Sequence, residues 1–278
     1  MTNAARATFG GRLDAAVSRF GALCVGIDPH PGLLAEWGLT DDPEGLERFA
    51  MSCVEALAGH VAVVKPQSAF FERHGSRGIA VLERVLAAFA GGPTLTLLDV
   101  KRGDIGSTMD AYADAYLAIG APLGADAVTL SPYLGFGSLA PALDAAVDAG
   151  RGAFVLARTS NPEGAPVQLA QWAGSSVGQT MVDAAAARNA GAEPLGDVGV
   201  VVGATSDHGL DLSALGGAVL APGLGAQGAG PADIAARFAG VSGIVLPSAS
   251  RSVLAAGPDE AAVRSAAEAL RDELAAAA

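Results

Sequence analysis

Short apolar runs recur along this chain, and each is followed by a segment with helical periodicity. The runs are Leu23–Asp28, Val61–Lys65, Leu95–Lys101, Ala127–Ser131, Ala153–Arg158, Val198–Gly203, Ala218–Ala221 and Gly243–Pro247. Between them lie Ala-rich amphipathic stretches at Pro43–Ala58, Gly78–Ala90, Ser107–Ile119, Ser138–Ala149, Val177–Ala190 and Pro231–Phe238, with a closing one near Pro258–Ala276. Near-continuous apolar runs belong to strands covered on both faces, and strands alternating with helices make a parallel sheet. The pattern predicts an α/β fold, a (β/α)8 TIM barrel, forming a single domain over residues 1–278. A doubly wound open sheet is the alternative. It would want a GxGxxG turn after the first strand, where this chain reads CVGIDPHPG. Half of the residues are hydrophobic but only 5% are aromatic, so the core must be built mainly from Ala, Val, Leu and Ile.

Charge narrows the partners. The net charge is −12, and no Lys/Arg-rich run is present to follow a phosphate backbone, which speaks against nucleic-acid binding. Cys24 and Cys53 lack CxxC spacing and read as buried thiols, while His30, His60, His74 and His208 show no paired spacing for a metal. No metal and no cofactor is expected. The N-terminal residues lack the apolar core of a signal peptide, and no run approaches a membrane span; a cytoplasmic protein without membrane contact is the expectation.

Lysine is the unusual residue. Only Lys65 and Lys101 occur, and each closes one of the apolar runs. A strongly hydrated ammonium is a poor choice for the end of a core strand unless a positive charge or a transferable proton is needed there; the plainer alternative is a chain that simply favours Arg. Asp28, Lys65, Asp99, Lys101, Ser131, Ser160 and Arg251 all fall at or just beyond C-terminal strand ends, the rim that carries chemistry in barrels of this kind. Asp99 and Lys101 are two apart, so strand alternation turns both side chains to one face, with Asp104 following past Gly103. Neighbouring carboxylates hold a lysine as its ammonium. That opposes Schiff-base chemistry, which needs the neutral amine, and favours stabilising negative charge and donating a proton to it. Lys65 could bridge these carboxylates from the neighbouring strand; a purely structural ion-pair network is the competing reading.

Two later segments suit a phosphate. The glycine-rich run Ala221–Gly230 follows the seventh strand and precedes a helix, so that backbone N–H groups and the helix dipole can face an anion. After the eighth strand, Ser248–Arg251 adds a guanidinium capable of a bidentate contact. Loops seven and eight commonly grip phosphate in barrels. The longest irregular stretch, Ser160–Gly178, is compatible with a lid over the mouth and equally with an ordinary surface excursion.

The run Leu98–Ile105 carries a DxKxxDI motif, and with the PGxGAQG loop at Pro222–Gly228 and the TSNP run at Thr159–Pro162 it resembles the family of orotidine 5′-phosphate decarboxylases, in its longer, type 2 bacterial branch. The resemblance runs from the first strand to Arg251. It implies conversion of orotidine 5′-monophosphate to UMP and CO2 in pyrimidine biosynthesis without metal or organic cofactor. It further implies a charged tetrad of Lys65, Asp99, Lys101 and Asp104, in which Lys101 stabilises and protonates the C6 carbanion and Asp99 lies near the departing carboxylate. Asp104 is expected to reach across a homodimer interface into the neighbouring site, as is Thr108 toward the ribose. Asp28 is expected on the ribose, Ser160 on the pyrimidine amide, and Gln227 and Arg251 on the phosphate. The chain departs from the shorter branch around Ser131–Tyr133 and through residues 160–191. A magnesium-dependent relative on the same barrel, such as a hexulose-phosphate synthase, would want an acidic residue where this chain has Lys65.

Overall fold

The eight apolar runs pair in order around a closed cylinder. The structure, a computed structural model, describes residues 7–225 and 228–277. Its barrel strands are β1 (Cys24–Ile27), β2 (Val63–Pro66), β3 (Leu95–Arg102), β4 (Ala127–Leu130), β5 (Gly152–Arg158), β6 (Val198–Val202), β7 (Val219–Pro222) and β8 (Val245–Ala249). All neighbours are parallel, and β1 closes the ring by pairing with both β2 and β8. The open-sheet alternative is thereby removed.

Strand alternation sorts the apolar side chains into two cores. Val63, Leu95, Leu97, Phe154, Leu220 and Leu246 point inward and fill the cylinder, whereas Val25, Val64, Leu98, Val128, Val155 and Val200 point outward beneath the helices. The expected helices form at Pro43–Leu57, Gly75–Phe89, Gly106–Tyr116, Ala140–Asp148, Val177–Asn189, Pro231–Arg237 and Glu260–Ala277. Their apolar stripes supply the other half of the outer core.

A helix at Phe9–Phe20, which the sequence reading did not assign, closes the N-terminal end of the barrel. Thr8 caps it by accepting from the Gly11 N–H at 3.1 Å. Its buried residues Phe9, Leu13, Ala16 and Phe20 recur at helical spacing and join the inner core. Phe9 meets Phe154 edge to face at 6.0 Å between ring centroids. Gly152 makes room for it: a Cβ there would stand 2.3 Å from the Phe9 ring.

The stretch after β5 is more ordered than its composition suggested. Pro162–Gly164 and Ala165–Gln168 form single helical turns, and Gln171–Trp172 pairs antiparallel with Ser175–Ser176. Among the described residues no helix is long and apolar enough to cross a membrane.

Candidate active site

Inward parity decides which side chains reach the mouth. Lys65 comes two residues after Val63, Asp99 two after Leu97, Thr129 two after Ala127 and Ser248 two after Leu246, so each takes the next inward step above an apolar layer. The result is a polar floor on top of a packed interior.

Asp99 is the hub of that floor. It is 6% exposed and its carboxylate receives four donors. Oδ1 accepts from Lys101 Nζ at 2.6 Å and from Thr129 Oγ1 at 2.8 Å. Oδ2 accepts from Gln67 Nε2 at 2.8 Å and from Lys65 Nζ at 3.4 Å. Burial alone would push the Asp99 carboxyl up; the Lys65 and Lys101 charges, with hydrogen bonds from Lys101 and Thr129, outweigh it and bring the group down to about 2. Lys65 is buried and also stands 3.8 Å from Asp28 Oδ1. Burial by itself would lower its pKa, but the facing carboxylates of Asp28 and Asp99 hold it above the ordinary lysine range. Cys24 lies deeper in the same column, its thiol pushed up to about 12 by burial. Lys65 is thus held as an ammonium ion beside the ionised Asp99 carboxylate.

The backbone at Lys101 is the departure from simple alternation. Its φ is +46°, in the left-handed region that a non-glycine residue adopts at a cost. The β3–β4 register shifts between Leu98 and Arg102. Thr129 accepts from the N–H groups of both Val100 and Lys101, at 3.0 and 2.9 Å, and so anchors the turn. Gly103 permits the close approach that follows, since a Cβ there would stand 2.1 Å from the Ser131 carbonyl. Lys101 and Asp99 therefore meet through a kinked strand end rather than through regular i, i+2 geometry. Lys101 is left with 45% of its side chain exposed, against 8% for Lys65.

A cavity of about 470 Å³ opens over this floor and brings together Asp28, Lys65, Asp99, Lys101, Ser160 and Arg251. Pro222–Leu224 lines it on the β7 side. At the start of the helix that follows, Pro231–Arg237, the Gly230 N–H donates to Asp233 Oδ2 at 2.8 Å. Two of the expected residues, Asp104 and Thr108, are not in the cavity lining. Asp104 accepts from the Ile105 N–H at 2.8 Å, Thr108 is exposed on the helix Gly106–Tyr116, and Gln227 lies outside the described residues.

The sequence profile of the orotidine 5′-phosphate decarboxylase / HUMPS family matches residues 21–266, nearly the whole barrel. The chain belongs to this family. An orotidine 5′-phosphate decarboxylase of Salinispora arenicola is 62% identical over 263 residues, covering 94% of this chain and 95% of the relative. One from Streptomyces coelicolor is 57% identical over 265 residues, covering 94% of both. The solved structure of a Leishmania donovani OMP decarboxylase superposes with a TM-score of 0.76 at 29% identity, covering 97% of this chain and 98% of that one.

In this member of the decarboxylase family, several mouth residues escaped the sequence reading. Gln67 and Thr129 bind Asp99 directly, and His30 and Ser248 line the cavity. Parity was the signal available for Gln67, Thr129 and Ser248, each being an even number of residues from an inward apolar position. Among the described residues no three His, Cys, Asp or Glu side chains converge to hold a metal ion. The space between Asp28 and Asp99 already contains the Lys65 ammonium.

Proposed function

We propose that this barrel mouth decarboxylates orotidine 5′-monophosphate to UMP and CO2, the step that completes UMP in pyrimidine biosynthesis, with Lys101 as proton donor. The C6–carboxylate bond breaks and its electron pair stays at C6. The Lys101 ammonium stabilises that charge and passes a proton to C6, and its solvent-facing side allows it to be reprotonated from water. Asp99 holds Lys101 in place and lies beside the departing carboxylate. Lys65 keeps Asp99 ionised.

The remaining contacts follow from the layout of the cavity. Asp28 Oδ1 has no hydrogen-bond partner among the described residues and is suited to accept from a ribose hydroxyl. Ser160 reads the pyrimidine, and Arg251 with the Pro222–Leu224 loop and Gln227 takes the phosphate. The active unit on this reading is a single-domain, cytoplasmic homodimer of the type 2 branch. Asp104 and Thr108, which stand apart from their own cavity, serve the partner's site. The observation that supports the reading best is the Lys101–Asp99 pair at 2.6 Å in the mouth of a barrel from this family.

The test is loss of orotidine absorbance when purified protein meets orotidine 5′-monophosphate in EDTA. Steady CO2 release supports the proposal. Binding of the nucleotide with no CO2 would mark a sensor, and activity abolished by EDTA would mark a magnesium-dependent relative.

A further inference from the structure

Thr129 sits beneath the Lys101–Asp99 pair, only 1% exposed, and its hydroxyl makes three hydrogen bonds. A hydroxyl has one proton and two acceptor lone pairs. Both lone pairs face N–H donors, those of Val100 and Lys101. The proton must therefore go to Asp99 Oδ1, the same oxygen that receives the Lys101 ammonium. One side chain thus fixes the left-handed backbone of Lys101 and the carboxylate that holds its ammonium.

We infer that Thr129 is a positioning residue for the proposed decarboxylation, setting where the Lys101 ammonium stands relative to the reacting carbon. This rests on the decarboxylase reading above. Thr129 touches Asp99 and the Lys101 backbone and acts on the reaction through them. Without its hydroxyl, the Val100 and Lys101 N–H groups lose their acceptor and the +46° backbone at Lys101 loses what anchors it. Asp99 also loses one of four donors, while Lys65 and Gln67 from β2 and its extension, and Lys101 from β3, remain around it. Asp28 on the β1 side faces the same Lys65 ammonium at 3.8 Å.

The experiment compares Thr129→Val, which keeps the shape and removes the hydroxyl, with Thr129→Ser, which keeps the hydroxyl. In the folded valine variant kcat is expected to fall about 10- to 100-fold with KM changed less than about threefold, since misplacement of a reacting group acts on the chemical step. Serine should restore kcat to within about threefold of the parent. In parallel, carbon-13 NMR of the Asp99 carboxyl should show its titration moving upward in the valine variant and not in the serine one. A folded valine variant with unchanged kcat and unchanged Asp99 titration overturns the inference, as does a serine variant as impaired as valine. Should the valine chain not fold, Thr129→Ala removes the same hydroxyl and is read the same way. If the parent protein releases no CO2, the decarboxylase reading fails and the NMR comparison alone judges what Thr129 holds.

Discussion

Lys101 Nζ stands 2.6 Å from Asp99 Oδ1 although the chain turns left-handed between a buried carboxylate and a half-exposed ammonium. The two partners of one ion pair therefore experience different surroundings. Asp99 is locked by four donors inside the barrel, while Lys101 reaches from solvent toward the cavity. A fixed anion and an accessible cation are what a proton donor needs if it is to be aimed accurately and recharged after each turnover.

Removing that donor should stop the chemistry and spare the fold. Lys101→Ala is expected to lower kcat by at least about 10³-fold, because general-acid and electrostatic contributions are lost together. Circular dichroism should be unchanged. Near-normal turnover in this variant would remove Lys101 from the proton-donor role.

Arg251 lines the same cavity from the segment after β8, whereas that ammonium stands at the end of β3, and it should act on binding. Arg251→Ala is expected to raise KM about 10- to 100-fold with a smaller change in kcat, as loss of a charged phosphate contact does. Steady-state kinetics with the nucleotide resolves the two parameters.

The proposed reach of Asp104 into a partner's site makes a sharper demand. An Asp104→Ala chain and a Lys101→Ala chain, each inactive alone, should recover activity on mixing, because one of the two sites in the heterodimer then has both residues intact. Absence of recovery under conditions of proven subunit exchange would argue against Asp104 crossing the interface.

Acid stability should report Asp99. Its carboxyl is held at about 2 against an ordinary 3.8, so the folded state favours the ionised form. Its contribution is present above the unfolded value and is lost as pH falls from about 4 through about 2, in all on the order of 2 kcal/mol. Asp99→Asn should be less stable at neutral pH, having left Lys65 with one fewer carboxylate, and should lose less on acidification. Denaturant midpoints at about pH 7 and about pH 3 make the comparison.

The helix at Phe9–Phe20 gives a control far from the mouth. Phe9→Ala is expected to cost about 3 kcal/mol through lost burial and a cavity against Phe154. Activity per folded molecule should be unaltered, which differential scanning calorimetry and an activity assay together would establish.

How much of this was legible beforehand depended on whether the relevant force is local. The eight strands were readable because burial on both faces leaves a continuous apolar run, as in Val198–Val202. Lys65 and Asp99 were readable as charges at the ends of such runs. The left-handed turn at Lys101 was not, because nothing in Asp99–Gly103 alone requires it; the acceptor that holds it, Thr129, is on the neighbouring strand. The helix Phe9–Phe20 was missed for a related reason: its glycines at positions 10 and 11 are poor helix formers, and the packing that overrides them comes from Phe154 and from Asp197, which accepts the Gly10 N–H at 2.7 Å. The capping of the helix after β7 was not read either: the Gly230 N–H is taken by Asp233, three residues on.

Phe9 and its helix stopper the cylinder from below, so among the described residues the packed floor closes that end. On the proposed reading, carbon dioxide set free beside Asp99 has that floor behind it and leaves toward the rim, where the main cavity and a smaller one beside it share Asp99 and Lys101. Traffic across that rim, rather than the breaking of the bond, is then a natural place for the pace of the cycle to be set.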